Sequence, residues 1–98
     1  MIIYIDIDET ICETPKEYKR DYSNAIPIKE NIAKANKYYE DGHTVIYWTA
    51  RGVTTGIDWR ELTEKQLKKW NVKYHELKLD KPHYDLFICD KVMNTKDL

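Results

Sequence analysis

The sequence predicts a single α/β domain with a mainly parallel sheet. Apolar, β-branched runs alternate along the chain with segments of helical periodicity, and the first apolar run is nearly continuous. Strands alternating with helices are typical of parallel sheets joined by right-handed crossovers. A length of 98 residues suits one small domain over 1–98, and 42% apolar residues suffice for a compact core.

The first half of the chain predicts a strand, a loop and a helix. Residues 1–6 are almost all apolar, which fits a strand covered on both faces. Residues 9–26, called the flap below, are polar, and we expect them to be irregular. From Pro27 to about Glu40 the pattern is helical, because apolar residues recur at spacings of three and four. Those residues are Ile28, Ile32, Ala35 and Tyr39.

The second half predicts three more strands around one helix. Gly42 ends the first helix as a left-handed cap. The predicted elements are a strand at Thr44–Trp48, a helix at Trp59–Trp70, strands at Val72–Leu77 and Leu86–Cys89, and a brief helix after Asp90.

Composition and charge exclude several classes of protein. A formal charge of −1 supplies no broad attraction to nucleic acid or to an anionic membrane. No stretch approaches the roughly 18 apolar residues of a membrane span, and the N-terminus does not resemble a secretory signal. Two cysteines do not make a disulfide framework, so we expect a cytoplasmic protein.

Polar side chains of unusual type follow each predicted strand. Ligands of open parallel sheets bind outside the carboxyl ends of the strands, so these residues are expected to meet. Carboxylates without a His cluster suit Mg²⁺, whereas a hydroxyl and a lysine suit phosphate oxygens. One carboxylate would be a nucleophile and its neighbour a general acid/base. The residues are Asp6 and Asp8, then Thr49 and Arg51, then Lys81, then Cys89 and Asp90.

Four motifs in order resemble those of the haloacid dehalogenase (HAD) superfamily. The letters DIDET at 6–10 resemble its DxDxT nucleophile motif. A strand ending in IYWTAR at 46–51, a lysine in LDKP at 79–82, and LFICDK at 86–91 follow in the family's order. The chain is similar to short phosphatase-like members associated with bacterial capsule genes and viruses. The resemblance implies a three-layer, Rossmann-like sandwich with a mainly parallel central sheet and no cap domain.

The resemblance also implies a role for each motif residue. Asp6 would attack phosphorus. Asp8 would protonate the leaving oxygen, deprotonate the hydrolytic water and offer its backbone carbonyl to the metal. The implied phosphate-binding residues are Thr49, Ala50 and Lys81, and the implied Mg²⁺ ligands are Asp6, Asp8 and Asp90. The predicted function is therefore a Mg²⁺-dependent phosphatase acting on a small phosphomonoester, either a sugar phosphate or a nucleotide.

One departure from the family pattern keeps an alternative open. Similar capless proteins often end the fourth strand in two acids, and Cys89 stands at the first of these positions. A thiol is a poor ligand for Mg²⁺, so the alternative is a catalytically weak or inactive phosphate-binding or regulatory protein. A phospho-acceptor receiver domain ranks lower, since no comparable Asp ends the 44–48 strand. A P-loop hydrolase ranks lower still, because no GxxxxGK stretch exists.

Several side-chain roles stay open at this stage. Arg51 either contacts the substrate or pairs with an acid, and Tyr18 and Tyr22 of the flap are candidates to stack on a sugar or a base. Without a cap domain, the site is either open or closed by a second subunit in a homo-oligomer. We expect Cys12 to be partly exposed and Cys89 to be a small buried side chain.

Overall fold

The computed structural model, which describes residues 1–16 and 20–98, has an α/β fold with a parallel sheet. Three strands, Ile2–Ile5, Thr44–Trp48 and Glu76–Lys78, lie side by side in this order and form the parallel sheet. Two short strands, Cys12–Glu13 and Ile26–Pro27, form a separate antiparallel pair. The α/β class and the mainly parallel sheet are therefore as predicted. The elements are β1 (Ile2–Ile5), β2 (Cys12–Glu13), β3 (Ile26–Pro27), α1 (Lys29–Glu40), β4 (Thr44–Trp48), α2 (Arg60–Lys69) and β5 (Glu76–Lys78), with 3₁₀ turns at Tyr22–Asn24 and Thr95–Asp97.

The register of the sheet brings all three carboxyl ends to one edge. Ile2 lies beside Thr44 and Ile5 beside Tyr47, while Trp48 lies beside Lys78. Because all three strands run in the same direction, the segments that follow β1, β4 and β5 leave the sheet together. This edge is where the sequence places its candidate site.

The core lies between one face of the sheet and both helices. Ile32 of α1 and Leu67 of α2 belong to one buried cluster with Val45, Tyr47 and Leu77 of the sheet. Alternate residues of a strand point to opposite faces, so the two helices cover the same face. Burial of this apolar surface is the main stabilising contribution to the fold.

The opposite face is more open than the sequence predicts. Ile2 and Tyr4 of β1 point to it and are 70% and 50% exposed. The prediction that β1 is covered on both faces is therefore wrong. The reason is that both helices pack on the face of Val45 and Tyr47, so in the described residues neither helix covers Ile2 and Tyr4. The exposure of these two residues also shows no third layer over β1 within 1–16 and 20–98.

The predicted fourth strand at Leu86–Cys89 does not form. Leu86 and Ile88 are 75% and 87% exposed, and the segment has no strand partner. An apolar run becomes a strand only when its backbone finds a partner, and the chain after Lys81 instead places Tyr84 beside that lysine. The brief helix predicted after Asp90 is reduced to the 3₁₀ turn at Thr95–Asp97.

Both ends of the flap are tied to the core. β2 pairs with β3 through Cys12 opposite Pro27 and Glu13 opposite Ile26. Ile11 and Cys12 are completely buried, so the start of the flap belongs to the core rather than to an irregular polar loop. Tyr18, a candidate for stacking, lies outside the described residues.

The two cysteines have the opposite surroundings to those predicted. Cys12 is buried and Cys89 is exposed, and both are free thiols. Burial, together with the nearby charge of Asp8, raises the pKa of Cys12 to about 12. In the described segments, no helix has the length and apolar character needed to cross a bilayer.

We expect Cys89 to react rapidly with a thiol reagent at pH 8 and Cys12 to remain unreactive until the protein unfolds. The reactive species is the thiolate, which a raised pKa and burial both suppress at Cys12. Counting modified thiols with Ellman's reagent before and after adding denaturant measures this. In the Cys89→Ser variant the fast reaction should disappear; a fast reaction that remained would show that Cys12 is accessible.

Candidate functional site at the carboxyl edge of the sheet

The turn after β1 separates two acidic side chains. Asp6 and Asp8 flank Ile7, which is completely buried, so the two carboxylates have different surroundings. The backbone N–H groups of Thr10 and Ile11 both donate to the carbonyl oxygen of Ile7. Glu9 takes the left-handed conformation with φ of 64°, which is uncommon for a residue other than glycine. The tight turn therefore holds Asp6 and Asp8 in fixed positions.

Asp8 forms a buried ion pair with Arg51. The Arg51 Nε donates to Asp8 Oδ2 at 3.0 Å, and Nη2 donates to Oδ1 at 2.9 Å. The Arg51 side chain has no exposed surface, and that of Asp8 is 13% exposed. Thr14 Oγ1 adds a third hydrogen bond to Asp8 Oδ1 at 2.6 Å. Such a paired geometry gives specificity of orientation as well as energy.

The rest of the Arg51 side chain contacts α2 and the flap. Its Nη1 donates to Thr63 Oγ1 at 3.0 Å and to Gln66 Oε1 at 2.6 Å. Its guanidinium carbon lies 4.7 Å from the centroid of the Tyr22 ring. With Nη2 also 3.8 Å from the Cys12 thiol, all five N–H groups of Arg51 are directed at protein atoms.

Arg51 is therefore an internal ion-pair partner in this structure and not a substrate contact. Of the two roles left open by the sequence, the structure shows the pairing with an acid. The turn that buries Arg51 depends on Gly52, which has φ of +81°. A Cβ at this position would lie 2.0 Å from the carbonyl oxygen of Ile57, so only glycine fits without a backbone shift.

The partners of Asp8 hold its carboxylate in the ionised form. Burial alone would raise its pKa, but the hydrogen bonds and positive charge of Arg51, with the hydroxyl of Thr14, outweigh burial. The pKa of Asp8 is therefore lowered from its ordinary value. A carboxylate in this state accepts a proton less readily than a free aspartate.

Asp6 lies beside Lys81 and has more contact with solvent. Its Oδ2 is 3.5 Å from Lys81 Nζ, and its Oδ1 accepts the backbone N–H of Ile7 at 2.9 Å. Burial raises the pKa of Asp6, and the charge of Lys81 offsets only part of this effect. The side chain remains 40% exposed, so one carboxylate near the sheet edge is accessible to a ligand.

Thr49 links the end of β4 to the loop that carries Lys81. Its carbonyl oxygen accepts the backbone N–H of Lys81 at 3.2 Å, and its N–H donates to the carbonyl oxygen of Lys78. Its hydroxyl oxygen accepts the Arg51 N–H at 3.2 Å and retains one O–H donor. Thr49 is almost fully buried, whereas Ala50 is partly exposed. The structure thus brings Thr49 and Lys81 together, as predicted.

The third acid of the predicted set, Asp90, is not brought into this cluster. Asp90 lies in an exposed turn, and its Oδ1 is 3.8 Å from the Cys89 thiol. Within the described ranges, no three His, Cys, Asp or Glu side chains are grouped closely enough to hold a metal ion. The Asp8 carboxylate is also occupied by Arg51.

Asp6 nevertheless offers the kind of ligand that Mg²⁺ prefers. This ion commonly takes only one or two protein carboxylates and completes its shell with substrate phosphate oxygens and water. The accessible carboxylate of Asp6 therefore fits an ion that is shared with a phosphate. Asp90 as a ligand stays a prediction from the sequence.

The sequence interpretation missed the residues that surround Arg51. Thr14 and Thr63 contact the Asp8–Arg51 pair directly, and Gln66 joins Arg51 to the flap by donating from Nε2 to the carbonyl oxygen of Tyr22 at 2.6 Å. One signal was present: Gln66 lies at helical spacing from the apolar residues Leu62 and Trp70. A polar residue at a buried helical position needs a hydrogen-bond partner, and an arginine is a suitable one.

Comparisons with known proteins support the fold. The chain is similar to the crystal structure of a structural genomics target from Vibrio cholerae, with a TM-score of 0.83 and 24% sequence identity. The similarity covers 98% of this chain and 85% of that one. No family model matches the chain, and no curated protein matches it. At this identity the similarity concerns the fold alone.

We expect Arg51→Met to lower the free energy of unfolding by about 3–5 kcal/mol, because it leaves the Asp8 carboxylate buried without its partner. Urea denaturation followed by circular dichroism measures the loss. The matched control is Lys65→Gln, which breaks an exposed pair with Glu61 and should cost less than about 1 kcal/mol. Equal effects of the two substitutions would contradict the structural role of Arg51.

We expect the two acids to titrate on opposite sides of the ordinary aspartate value of 3.8. Carboxyl ¹³C shifts measured by NMR against pH should show Asp6 above it and Asp8 below it. Lys81→Met should raise the pKa of Asp6 further, because it removes a positive charge 3.5 Å away. Lys78→Met is the control, since that ammonium faces the Tyr4 ring and should leave Asp6 unchanged.

Proposed function

We propose that this protein is a phosphohydrolase of the HAD type that cleaves a small phosphomonoester through an aspartyl-phosphate on Asp6. The observation that carries the proposal is the accessible Asp6 carboxylate beside Lys81, with Asp8 two residues away in a buried ion pair that lowers its pKa. The similarity of fold to a solved α/β structure is compatible with it. The motif order described above supplies the reaction class.

The proposed chemistry uses the side chains at the sheet edge. An Asp6 oxygen attacks phosphorus, the bond from phosphorus to the substrate oxygen breaks, and the leaving oxygen takes up a proton, which the resemblance assigns to Asp8. Water then attacks the aspartyl-phosphate, which releases inorganic phosphate and restores the Asp6 carboxylate. Lys81 neutralises negative charge on the phosphoryl oxygens, and the remaining O–H of Thr49 is a donor to them.

Asp8 is in the ionised form that one of its two predicted roles requires. That role is to take a proton from the hydrolytic water as a general base, although the ion pair with Arg51 makes this carboxylate a weaker base than a free aspartate. Protonation of the leaving oxygen would require the acid form of Asp8, which Arg51 disfavours. That second role stays a prediction from the resemblance.

Magnesium is part of the proposal as the expected cofactor. The residues that would hold it are Asp6, through its carboxylate, and Asp8, through its backbone carbonyl, with Asp90 as the predicted third ligand. When bound, the ion supplies positive charge that offsets the charge of the phosphate and the carboxylate. The accessible carboxylate of Asp6 agrees with an ion that prefers oxygen ligands, and the ammonium of Lys81 agrees with a phosphorylated substrate.

The finer points of the proposal follow the same resemblance. We propose a Rossmann-like layout without a cap domain, a small phosphorylated metabolite as the partner, and a possible homo-oligomer that closes the site. The two free cysteines agree with a cytoplasmic location.

A second candidate function is a phosphate-binding or regulatory protein with little or no turnover. Two observations favour it: Cys89 stands where an acid is expected, and Asp90 is not grouped with Asp6 and Asp8 in the described residues. In this reading, Lys81 and Thr49 bind a phosphate without hydrolysing its ester. Turnover is the property that separates the two candidates.

We expect Asp6→Asn to abolish release of phosphate from p-nitrophenyl phosphate in the presence of Mg²⁺, because the nucleophile is removed. Circular dichroism and the unfolding midpoint should show an intact fold, since Asp6 is only half buried. In the wild-type protein, mass spectrometry after an acid quench should locate a phosphoryl group on the peptide that contains Asp6.

Two controls sharpen this test. Glu9→Gln changes the exposed acid of the same turn and should retain activity. Cys89→Asp should raise the turnover of a weakened enzyme that lacks a ligand. Undiminished activity in Asp6→Asn would remove the nucleophile assignment, and absence of turnover in both the wild type and Cys89→Asp would favour the second candidate.

A further inference from the structure

An aromatic cluster surrounds the lysine that contacts Asp6. Lys81 Nζ lies 5.8 Å from the ring centroid of Trp48 and 5.3 Å from that of Tyr84. The Trp48 ring is held in place, because its Nε1 donates to Asp80 Oδ1 at 2.8 Å. Lys81 thus contacts both the Asp6 carboxylate and the Tyr84 ring. Its Nζ is 3.5 Å from Asp6 Oδ2 and 5.3 Å from the centroid of the Tyr84 ring.

Tyr84 and Phe87 leave much of their ring surface open to solvent. Their centroids are 5.6 Å apart with an interplanar angle of 39°, and the residues are 42% and 50% exposed. Tyr84 contacts Lys81 and Phe87 lies beside Tyr84, so the two exposed rings form a surface on which a flat ligand is able to stack. We call Tyr84 and Phe87 the aromatic platform.

Of the two flap tyrosines predicted for this purpose, Tyr22 is the one within the described residues, and its ring has internal contacts. The Tyr22 ring lies against the Arg51 guanidinium and packs edge-on against Trp59, with centroids 5.1 Å apart. Because both contacts are internal, Tyr22 supports the Asp8–Arg51 pair. The platform, by contrast, meets the site at Lys81 through the Tyr84 ring and has exposed ring surface.

We propose that the aromatic platform binds the base of a nucleoside monophosphate whose phosphate is held by Lys81, next to Asp6. This inference rests on the proposed function, since it takes Asp6 and Lys81 as the phosphate site, and it selects nucleotides over sugar phosphates as substrates. In such a ligand the ribose lies between the phosphate and the base. With the phosphate near Asp6 and Lys81, the base would extend toward the Tyr84 ring on the other side of Lys81. Every base has a flat aromatic face that is able to stack, so the platform would favour nucleotides without distinguishing one base from another.

Calorimetry with two ligands tests the platform directly. The full chain carrying Asp6→Asn is titrated with adenosine 5′-monophosphate and with ribose 5-phosphate in the presence of Mg²⁺, so that turnover does not consume the ligand. We expect the nucleotide to bind about tenfold more tightly, which is the usual effect of stacking one base on one aromatic side chain. Adding Tyr84→Ala should remove most of this preference without weakening the binding of ribose 5-phosphate.

Matched variants separate ring stacking from loss of apolar surface. Tyr84→Phe keeps the ring and should retain the preference. Leu86→Ala removes an exposed apolar side chain from the same segment, 75% exposed and without a ring, and should also retain it. Equal affinities for the two ligands, no binding of the nucleotide at millimolar concentration, or a preference that survives Tyr84→Ala would each overturn the proposal.

Phosphate release by the wild-type protein distinguishes failure of this inference from failure of the proposed function. A nucleotide preference that depends on Tyr84, in a protein that hydrolyses no phosphomonoester, supports the platform and removes the phosphatase. Hydrolysis of both ligands with equal affinities retains the phosphatase and removes the platform.

Discussion

The buried ion pair between Asp8 and Arg51 is the interaction on which the rest of the site depends. It joins the turn after β1 to the turn after β4, and through Thr63 and Gln66 it extends to α2. Gln66 then continues the network to the flap at Tyr22. A buried charge is costly unless all of its hydrogen-bonding groups are satisfied, so the pair requires these four segments to stay in place together.

The same pair makes two neighbouring aspartates chemically different. Asp8 is held ionised by a buried guanidinium, whereas Asp6 is paired more loosely with Lys81 and keeps solvent contact. Arg51 offsets the charge of Asp8 and Lys81 offsets that of Asp6, so two separate cations relieve the repulsion between the two carboxylates. This division leaves the Asp6 carboxylate accessible to solvent, beside the lysine that the Tyr84 ring contacts, and keeps the Asp8 carboxylate fixed against Arg51.

Local patterns predicted much of the fold because they report local physics. The strand at Thr44–Trp48 forms with the predicted bounds, since a β-branched and aromatic run between polar turns pairs on both edges. The same kind of run at Leu86–Cys89 forms no strand, because pairing depends on a partner that sequence alone does not show. Cys12 and Cys89 exchange their predicted surroundings for the same reason: burial is decided by neighbours distant in the chain.

The sequence by itself determined the α/β class, the parallel sheet and the meeting of Asp6, Asp8, Thr49 and Lys81 at one edge, because strand order and direction place these residues together. Only the tertiary structure decided that Arg51 faces inward and not toward a substrate, since all of its donors find partners on other segments. It likewise decided that Tyr22 is internal and that Tyr84 lies beside Lys81. Hydrogen bonds and ring contacts between distant segments have no periodic signature, so they become visible only when the chain is folded.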